Sequence, residues 1–185
     1  MTSRFVARDR RSIRLPYYDY RLGGAYFVTI CTTQRRALFA KIEGDSVSLN
    51  RHGRIVAEEW LRGPETRSNV VLDEFIVMPN HFHAIVVLQT SIGSQRPAPL
   101  HPFIPLARRV LPGSLGAVVR AFKSASAKRI NEERQTPGTP VWQLNYYERI
   151  LRSHELDRAR EYVRYNPLKW ADDPNNPSRP SGTHR

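Results

Sequence analysis

The sequence predicts an α+β domain, a ferredoxin-like βαββαβ sandwich with one further helix appended at its C-terminal end. Short runs rich in valine, isoleucine and aromatic residues alternate with longer stretches of helical periodicity. Two of the apolar runs, at 69–78 and 81–88, are separated only by Pro79 and Asn80, which indicates a tight connection between neighbouring strands. The order strand, helix, strand, strand, helix, strand, helix then fits a two-layer sandwich.

The boundaries of these elements follow from caps and breakers. The apolar runs predict strands at 25–32, 69–78 and 81–88, and a fourth, short strand at 141–147. Asn50 and Ser114 are suited to cap the first two helices, which are expected to end at Gly63-Pro64 and near residue 131. The last helix is predicted from His154 to Asn166, where Pro167 stops it.

The chain of 185 residues is expected to form one domain with extra arms. Residues 1–16 are a basic N-terminal arm, and residues 17–171 form the domain. Within it, residues 89–112 contain so many prolines that they are predicted to be a connector. Residues 172–185 mix charges with proline, serine and glycine, which predicts a disordered tail.

The charge of the chain restricts its partners. The net charge is +12, and most of the excess is arginine, which suits phosphate contacts. Nucleic acid is the expected partner, although ribosomal and membrane-surface proteins have similar charge. No apolar stretch approaches the ~20 residues that span a bilayer, and the N-terminus has no apolar signal core. The sequence therefore predicts a cytoplasmic, nucleoid-associated protein without a membrane segment.

Two groups of basic residues are candidates for DNA contacts. One belongs to the N-terminal arm and the other to the second long helix. The candidate residues are Arg10, Arg11, Arg14, Arg120, Lys123 and Lys128. Either group could equally be a solvated surface, because charge by itself does not distinguish the two.

His81 and His83 form the first candidate for a chemical site. They are two residues apart on a predicted strand, so their side chains project from the same face, and Phe82 points the other way. Two neutral imidazoles side by side can provide half of a metal site. Ordinary, hydrogen-bonded histidines would show the same spacing.

Tyr162 and Asn166 form the second candidate, because they are four residues apart on the last helix. A tyrosine hydroxyl can attack a phosphodiester when a cation or base lies nearby, and an amide oxygen one turn along could complete a metal site. The alternative is that Tyr162 only packs against the domain. Tyr146, Tyr147 and Tyr165 compete with it for a catalytic role.

These motifs resemble those of a known family. His81-Phe82-His83, preceded by Met-Pro-Asn, is similar to the HUH motif of single-tyrosine transposases, in which a bulky apolar residue separates two histidines. Residues 142–150 and 161–170 look like the C-terminal signature of REP-associated tyrosine transposases, and the helix at 115–131 is also similar. The resemblance covers roughly residues 14–171.

The resemblance implies an HUH nuclease fold and Mg²⁺ or Mn²⁺ held by His81, His83 and a third polar ligand, for which Asn166 is in the matching place. It implies that Tyr162 attacks single-stranded DNA with hairpin structure, leaving a 5′-phosphotyrosine and a free 3′-hydroxyl. A monomer or a homodimer is expected, because some relatives exchange the tyrosine helix. The connector at 89–112 departs from the family in length.

Two other functions remain open at the level of sequence. A non-catalytic nucleic-acid-binding module would have the same charge, and a metal-dependent phosphodiesterase using water would need the same histidines. A covalent bond between Tyr162 and DNA distinguishes these functions, because among the three only a transposase of this type forms one.

Overall fold

The computed structural model describes residues 23–89 and 112–179. In this part of the chain, four strands form an antiparallel sheet: β1 (Gly24–Cys31), β4 (Val70–Val77), β5 (His81–Leu88) and β6 (Tyr147–Leu151). Their order across the sheet is β4-β5-β1-β6. If only the four strands of this sheet are numbered along the chain, their order across the sheet is 2-3-1-4. This is the βαββαβ arrangement predicted from the sequence, and the predicted α+β class is confirmed.

Two long helices cover one face of the sheet. They are α1 (Arg51–Leu61) and α3 (Leu115–Glu133), capped as predicted by the side chains of Asn50 and Ser114. Phe82, Trp60 and Phe122 meet edge-on or tilted in the core between them, with ring centroids 5.0–5.1 Å apart. Burial of such large aromatic side chains stabilises this layer.

The opposite face of the sheet is covered by α4 (Leu156–Arg164), which follows a 3₁₀ turn at Ser153–Glu155. Leu156, Ala159 and Val163 of α4 pack against Phe27 and Ile85 of the sheet. The pattern of apolar residues predicted this inward side. Because β5 is covered on both faces, nearly every residue from His81 to Leu88 is buried.

A small hairpin precedes α1, where the sequence analysis assigned no element. It consists of β2 (Ala40–Glu43) and β3 (Ser46–Leu49). The helix α1 starts so close to this hairpin that a Cβ on Gly53 would lie 2.3 Å from the carbonyl oxygen of Phe39. Only glycine fits at this point of contact. A further one-turn helix, α2 (Gly63–Thr66), follows α1.

The predicted fourth strand is wrong in position. The sequence pointed to 141–147, but the strand lies at Tyr147–Leu151. Val141 and Trp142 are buried in the core instead, with Trp142 donating from its ring nitrogen to Ser126 at 3.0 Å. The true strand was obscured by Glu148 and Arg149. Charged residues are common on edge strands, and β6 lies at the edge of the sheet.

The prediction of a disordered tail from residue 172 is also wrong for the part that the structure describes. Residues 167–172 form a 3₁₀ helix, and Asp173 is only 4% exposed. The polar composition suggested solvation, but several of these polar groups instead pair with polar groups of the domain. Residues 173–175 return to the start of β5, where Asn175 accepts from Asn80 and Asp173 lies beside the histidine pair.

Some predictions fall outside the described residues: the basic arm at 1–16 with Arg10, Arg11 and Arg14, the connector between 90 and 111, and residues 180–185. None of the helices in the described ranges is both long and apolar enough to cross a membrane.

Candidate metal and tyrosine site

The paired histidines lie at the start of β5, inside the sheet. Both are buried, at 0% and 2% exposure, and their ring centroids are 4.5 Å apart. They face α4, whereas Phe82 between them points into the core formed with α1 and α3. The alternation of a strand therefore places both imidazoles on one shared face, as the sequence predicted.

Each imidazole is fixed through its Nδ1 atom. Nδ1 of His81 is 2.9 Å from Oδ1 of Asn80. Nδ1 of His83 is 2.8 Å from the hydroxyl of Thr29, which lies opposite His83 on the neighbouring strand β1. The Nε2 atoms of both rings are buried and make no hydrogen bond to any described residue. A buried nitrogen without a partner is costly unless something binds it. Two such atoms side by side are suited to a metal ion.

Burial also keeps both imidazoles neutral. It lowers the pKa of His81 to about 4, although the nearby Asp173 carboxylate opposes this shift. Burial, reinforced by His81, holds the pKa of His83 well below its usual value of 6.5. Neutral imidazoles have a free lone pair at neutral pH, which is the form that binds metal ions.

Asp173, which the sequence analysis missed, completes the cluster. Its Oδ2 atom lies 3.8 Å from Nε2 of His81. The available ligand atoms of His81, His83 and Asp173 all lie within 4.8 Å of one another. Two imidazoles and a carboxylate are a donor set suited to a divalent ion. These three residues therefore could bind a metal ion.

The segment that carries Asp173 is held by several hydrogen bonds. Arg35 donates to the carbonyl oxygen of Pro174 at 2.6 Å, and the backbone N–H of Asn175 donates to Oδ1 of Asp173 at 2.6 Å. Burial raises the pKa of Cys31, under this segment, to about 11, so its thiol stays protonated at neutral pH.

Tyr162 lies on α4 directly over the histidines. Its ring centroid is 5.4 Å from that of His83 and 5.7 Å from that of Phe27, and the side chain remains 41% exposed. The residue is thus anchored by its ring and open to solvent. Burial and the charge of Asp173 raise the pKa of its phenol, whereas Asn166 lowers it.

Asn166 lies one turn further, at the end of α4, and is only 1% exposed. Its amide interacts with Tyr162 and with His81, raising the pKa of the imidazole. Oδ1 of Asn166 is buried and makes no hydrogen bond of normal geometry within the described part of the chain. The residue predicted as a metal ligand thus lies among the histidines, the aspartate and the tyrosine.

The basic residues predicted on α3 do not share one environment. Arg120 and Lys128 are exposed, and Lys128 pairs with Glu132 at 3.8 Å. Lys123 is half-buried and donates to the carbonyl oxygens of Gln143 and Leu144 at 2.6 and 2.9 Å. Its ammonium group is therefore committed to the loop before β6, and the expectation of a phosphate contact is not supported at this position.

Asn80 is another residue of the site to which the sequence analysis gave no role. It was noted as part of the break before His81, and it contacts that histidine directly. No sequence pattern marked Asp173, because an aspartate in a polar segment is ordinary. Only the return of the chain to β5 brings its carboxylate to the site.

Comparison with known proteins gives one clear relative. A Haemophilus influenzae protein, described as uncharacterized, is 34% identical over 177 residues, which span 94% of this chain and 97% of the relative. This chain belongs to the same family as that protein. No family model matches the sequence.

Solved structures identify the fold. A REP-associated tyrosine transposase bound to a REP hairpin matches 86% of this chain and 74% of its own, with a TM-score of 0.54 and 17% identity. The chain therefore has the fold of this class of transposase, as its motifs implied. A candidate transposase from Deinococcus radiodurans matches less well, with a TM-score of 0.43 at 17% identity over 82% of this chain and 95% of that one.

Proposed function

We propose that this protein is a metal-dependent enzyme that cleaves and rejoins single-stranded DNA through a covalent bond to Tyr162. The observation that supports this proposal most directly is the position of Tyr162. Its partly exposed phenol lies on the ring of His83, beside a buried cluster of potential metal ligands. A nucleophile and a cation site on one surface meet the first geometric requirement of phosphodiester cleavage.

The metal would be held by His81, His83 and Asp173, with the amide oxygen of Asn166 as a further ligand. The two Nε2 atoms and Oδ1 of Asn166 are buried without partners, which makes the set fit a cation. When bound, Mg²⁺ or Mn²⁺ supplies positive charge that polarises a phosphoryl oxygen and stabilises the transition state. Imidazole ligands favour Mn²⁺ over Mg²⁺, which prefers oxygen.

In the proposed step, the phenol oxygen of Tyr162 attacks phosphorus. A bond from this oxygen to phosphorus forms, and the bond from phosphorus to the 3′-oxygen of the preceding nucleotide breaks. The phenol loses its proton and the 3′-oxygen gains one, so the products are a 5′-phosphotyrosine and a free 3′-hydroxyl. Because the phosphodiester is exchanged and not hydrolysed, the reverse reaction with a 3′-hydroxyl rejoins DNA without ATP.

The residues around Tyr162 fix the position of its ring and keep the phenol protonated. Burial and Asp173 raise its pKa, so the phenol is neutral before substrate arrives. Asn166 favours the ionised form by hydrogen bonding to it. Neutralising the charge of Asp173 by a bound cation would act in the same direction.

Single-stranded DNA with hairpin structure is the proposed substrate. The chain carries a net charge of +12, which favours a polyanion. The transposase that shares the fold is bound to a REP hairpin. Exposed Arg120 and Lys128 on α3, together with Arg10, Arg11 and Arg14 of the N-terminal arm, are the proposed phosphate contacts.

The decisive experiment looks for the covalent product. Purified protein is incubated with labelled hairpin DNA carrying single-stranded flanks and Mn²⁺, and a denaturing gel is examined for a band that protease removes. Wild type is expected to give this band, and Tyr162→Phe is expected to abolish it while keeping hairpin affinity. Tyr165→Phe is the matched control, because Tyr165 is 54% exposed on the same helix end and should leave adduct formation intact.

The other outcomes identify the competing functions. Continued cleavage by Tyr162→Phe, without a covalent band in either protein, would indicate a phosphodiesterase that uses water. Binding without any cleavage in wild type, across Mg²⁺ and Mn²⁺, would indicate a nucleic-acid-binding module. Loss of the band on adding EDTA, with recovery in excess Mn²⁺, would support the metal requirement.

A further inference from the structure

Asn80 occupies a special place beside the candidate metal site. The residue precedes His81 in the chain and is 0% exposed. Its side-chain nitrogen donates to the carbonyl oxygen of Arg35 at 3.0 Å and to that of Asn175 at 2.7 Å. Its side-chain oxygen lies 2.9 Å from Nδ1 of His81. All three polar positions of this amide are therefore used.

The two carbonyl partners determine which way the amide points. A carbonyl oxygen only accepts hydrogen bonds, so the NH₂ group of Asn80 must face Arg35 and Asn175. The oxygen Oδ1 then faces His81, and it too can only accept. Nδ1 of His81 must therefore carry the proton, which leaves the lone pair of the neutral ring on Nε2.

That lone pair is aimed at the cluster. Nε2 of His81 is buried, lies 3.8 Å from Oδ2 of Asp173 and makes no hydrogen bond to the described residues. In the opposite tautomer, Nε2 would carry a proton and could not bind a metal ion. The choice of tautomer therefore decides whether His81 can be a ligand.

Asn80 also reaches the segment that supplies the carboxylate. Its hydrogen bond to the carbonyl oxygen of Asn175 holds the residue whose backbone N–H donates to Oδ1 of Asp173. One buried amide is thus connected to a ligand from β5 and to a ligand from the C-terminal segment. The hydrogen bond from the N–H of Asn175 to Oδ1 of Asp173 holds this carboxylate with Oδ2 towards His81.

We propose that Asn80 is a positioning residue that selects the metal-binding tautomer of His81 and holds the Asp173 segment against it. The inference rests on the proposed metal-dependent function, because only metal binding gives the tautomer a role. The tautomer itself can be measured in the metal-free protein. Hydrogen-bond partners of ligating histidines commonly change metal affinity by about 10–100-fold when they are removed. Asn80→Ala should therefore weaken Mn²⁺ binding by about this factor.

The tautomer can be observed directly in the protein without metal. With ¹⁵N-labelled histidine, NMR distinguishes a protonated Nδ1 from a protonated Nε2 at one fixed pH. Wild type is expected to show His81 protonated at Nδ1, and Asn80→Ala is expected to show a mixture of both forms. A wild-type His81 protonated at Nε2 would overturn the proposal without any variant being needed.

Two variants separate positioning from a merely structural role. Asn80→Asp keeps an acceptor for Nδ1 but loses both donated hydrogen bonds, so it should retain the tautomer of His81 while losing thermal stability and, because the Asp173 segment is released, part of the Mn²⁺ affinity. Asn131→Ala removes another buried amide, which donates to the carbonyl oxygen of Thr139 away from the histidines. This control should lose stability without change in the affinity for Mn²⁺.

The measurements are Mn²⁺ titrations followed by electron paramagnetic resonance, with thermal melts of each variant. Equal loss of Mn²⁺ affinity in Asn80→Ala, Asn80→Asp and Asn131→Ala would overturn the proposal, as would unchanged affinity in Asn80→Ala. If wild type shows the expected tautomer but binds no Mn²⁺, the proposed metal-dependent function fails and the positioning of His81 by Asn80 stands.

Discussion

The ring of Tyr162 contacts that of His83 edge-on, with centroids 5.4 Å apart and planes inclined by 68°. Tyr162 comes from the last helix of the domain, and His83 from the interior of the sheet. Their contact depends on how α4 is docked. Two ion pairs fix this helix to β4, where the strand register shifts between Leu72 and Phe75.

The ion pairs of α4 should determine how well Tyr162 is held. Arg160 donates to both carboxylate oxygens of Asp73, at 2.7 to 3.2 Å, and Arg164 pairs with Glu74. Solvent-exposed ion pairs of this kind stabilise a docked helix only modestly, so two of them act together here. The variant Arg160→Met/Arg164→Met should increase hydrogen exchange in α4 and slow adduct formation, without changing Mn²⁺ affinity.

The control for this prediction is Arg158→Met, because Arg158 is exposed on the same helix. Its hydrogen exchange should match wild type. Since Arg160 holds the pKa of Asp73 below its ordinary value of 3.8, the Asp73 pair is complete above pH 3.8 and is lost only as pH falls below it. An effect of the double variant that vanished between pH 8 and 5 would contradict this account.

Asp173 should be required for tight metal binding. Asp173→Asn removes the negative charge that faces Nε2 of His81 but keeps a side chain of the same shape. We expect Mn²⁺ affinity to fall by about tenfold or more, in line with the effect of disrupting metal-site partners. Asp172→Asn, an exposed neighbour, should bind Mn²⁺ as wild type does. Equal affinities for all three proteins in a calorimetric titration would exclude Asp173 as a ligand.

The buried histidines should make the metal-free protein sensitive to mild acid. The pKa of His83 is far below 6.5 in the folded state, whereas the unfolded chain takes up a proton near that value. The unfolded state then binds more protons, so stability is complete above pH 6.5 and falls as the pH drops below it. For each extra proton bound by the unfolded state, the free energy of unfolding falls by about 1.4 kcal/mol for every pH unit.

This prediction is measured by urea unfolding in EDTA between pH 7.5 and 5. His83→Gln should lose stability overall, because its amide is buried, but it should show a shallower dependence on pH than wild type. Identical slopes for the two proteins would mean that the His83 imidazole is protonated in the fold or reached by water.

The basic residues of α3 should separate into structural and DNA-contacting classes. Burial lowers the pKa of Lys123 to about 8, and its ammonium group donates to two loop carbonyl oxygens. Lys123→Met should lower the melting temperature and leave the salt dependence of hairpin binding unchanged. Arg120→Met should do the reverse, reducing the slope of log K against log salt by about one. Binding titrations at several salt concentrations, with melting curves, test both; the opposite assignment would refute the division.

Much of the fold followed from local sequence. The caps at Asn50 and Ser114, the inward side of α4 and the shared face of His81 and His83 all depend on periodicity or on hydrogen bonds within a few residues. Such features depend only on residues that are close together in the sequence. The likeness of the motifs to tyrosine transposases likewise predicted the fold that the structural comparison found.

Other features required distant parts of the chain to meet. The strand at Tyr147–Leu151 was hidden by its charges, and its assignment depends on pairing with β1. Asp173 lies in a segment whose composition indicates solvation, yet it is buried because distant Arg35 and Asn80 donate hydrogen bonds to the carbonyl oxygens of the two residues that follow it. The sequence by itself determined most of the helices and strands, the paired imidazoles and the candidate tyrosine. Tertiary structure decided which carboxylate and which amide surround them, because burial and hydrogen-bond partners are set by the packed chain and not by spacing along it.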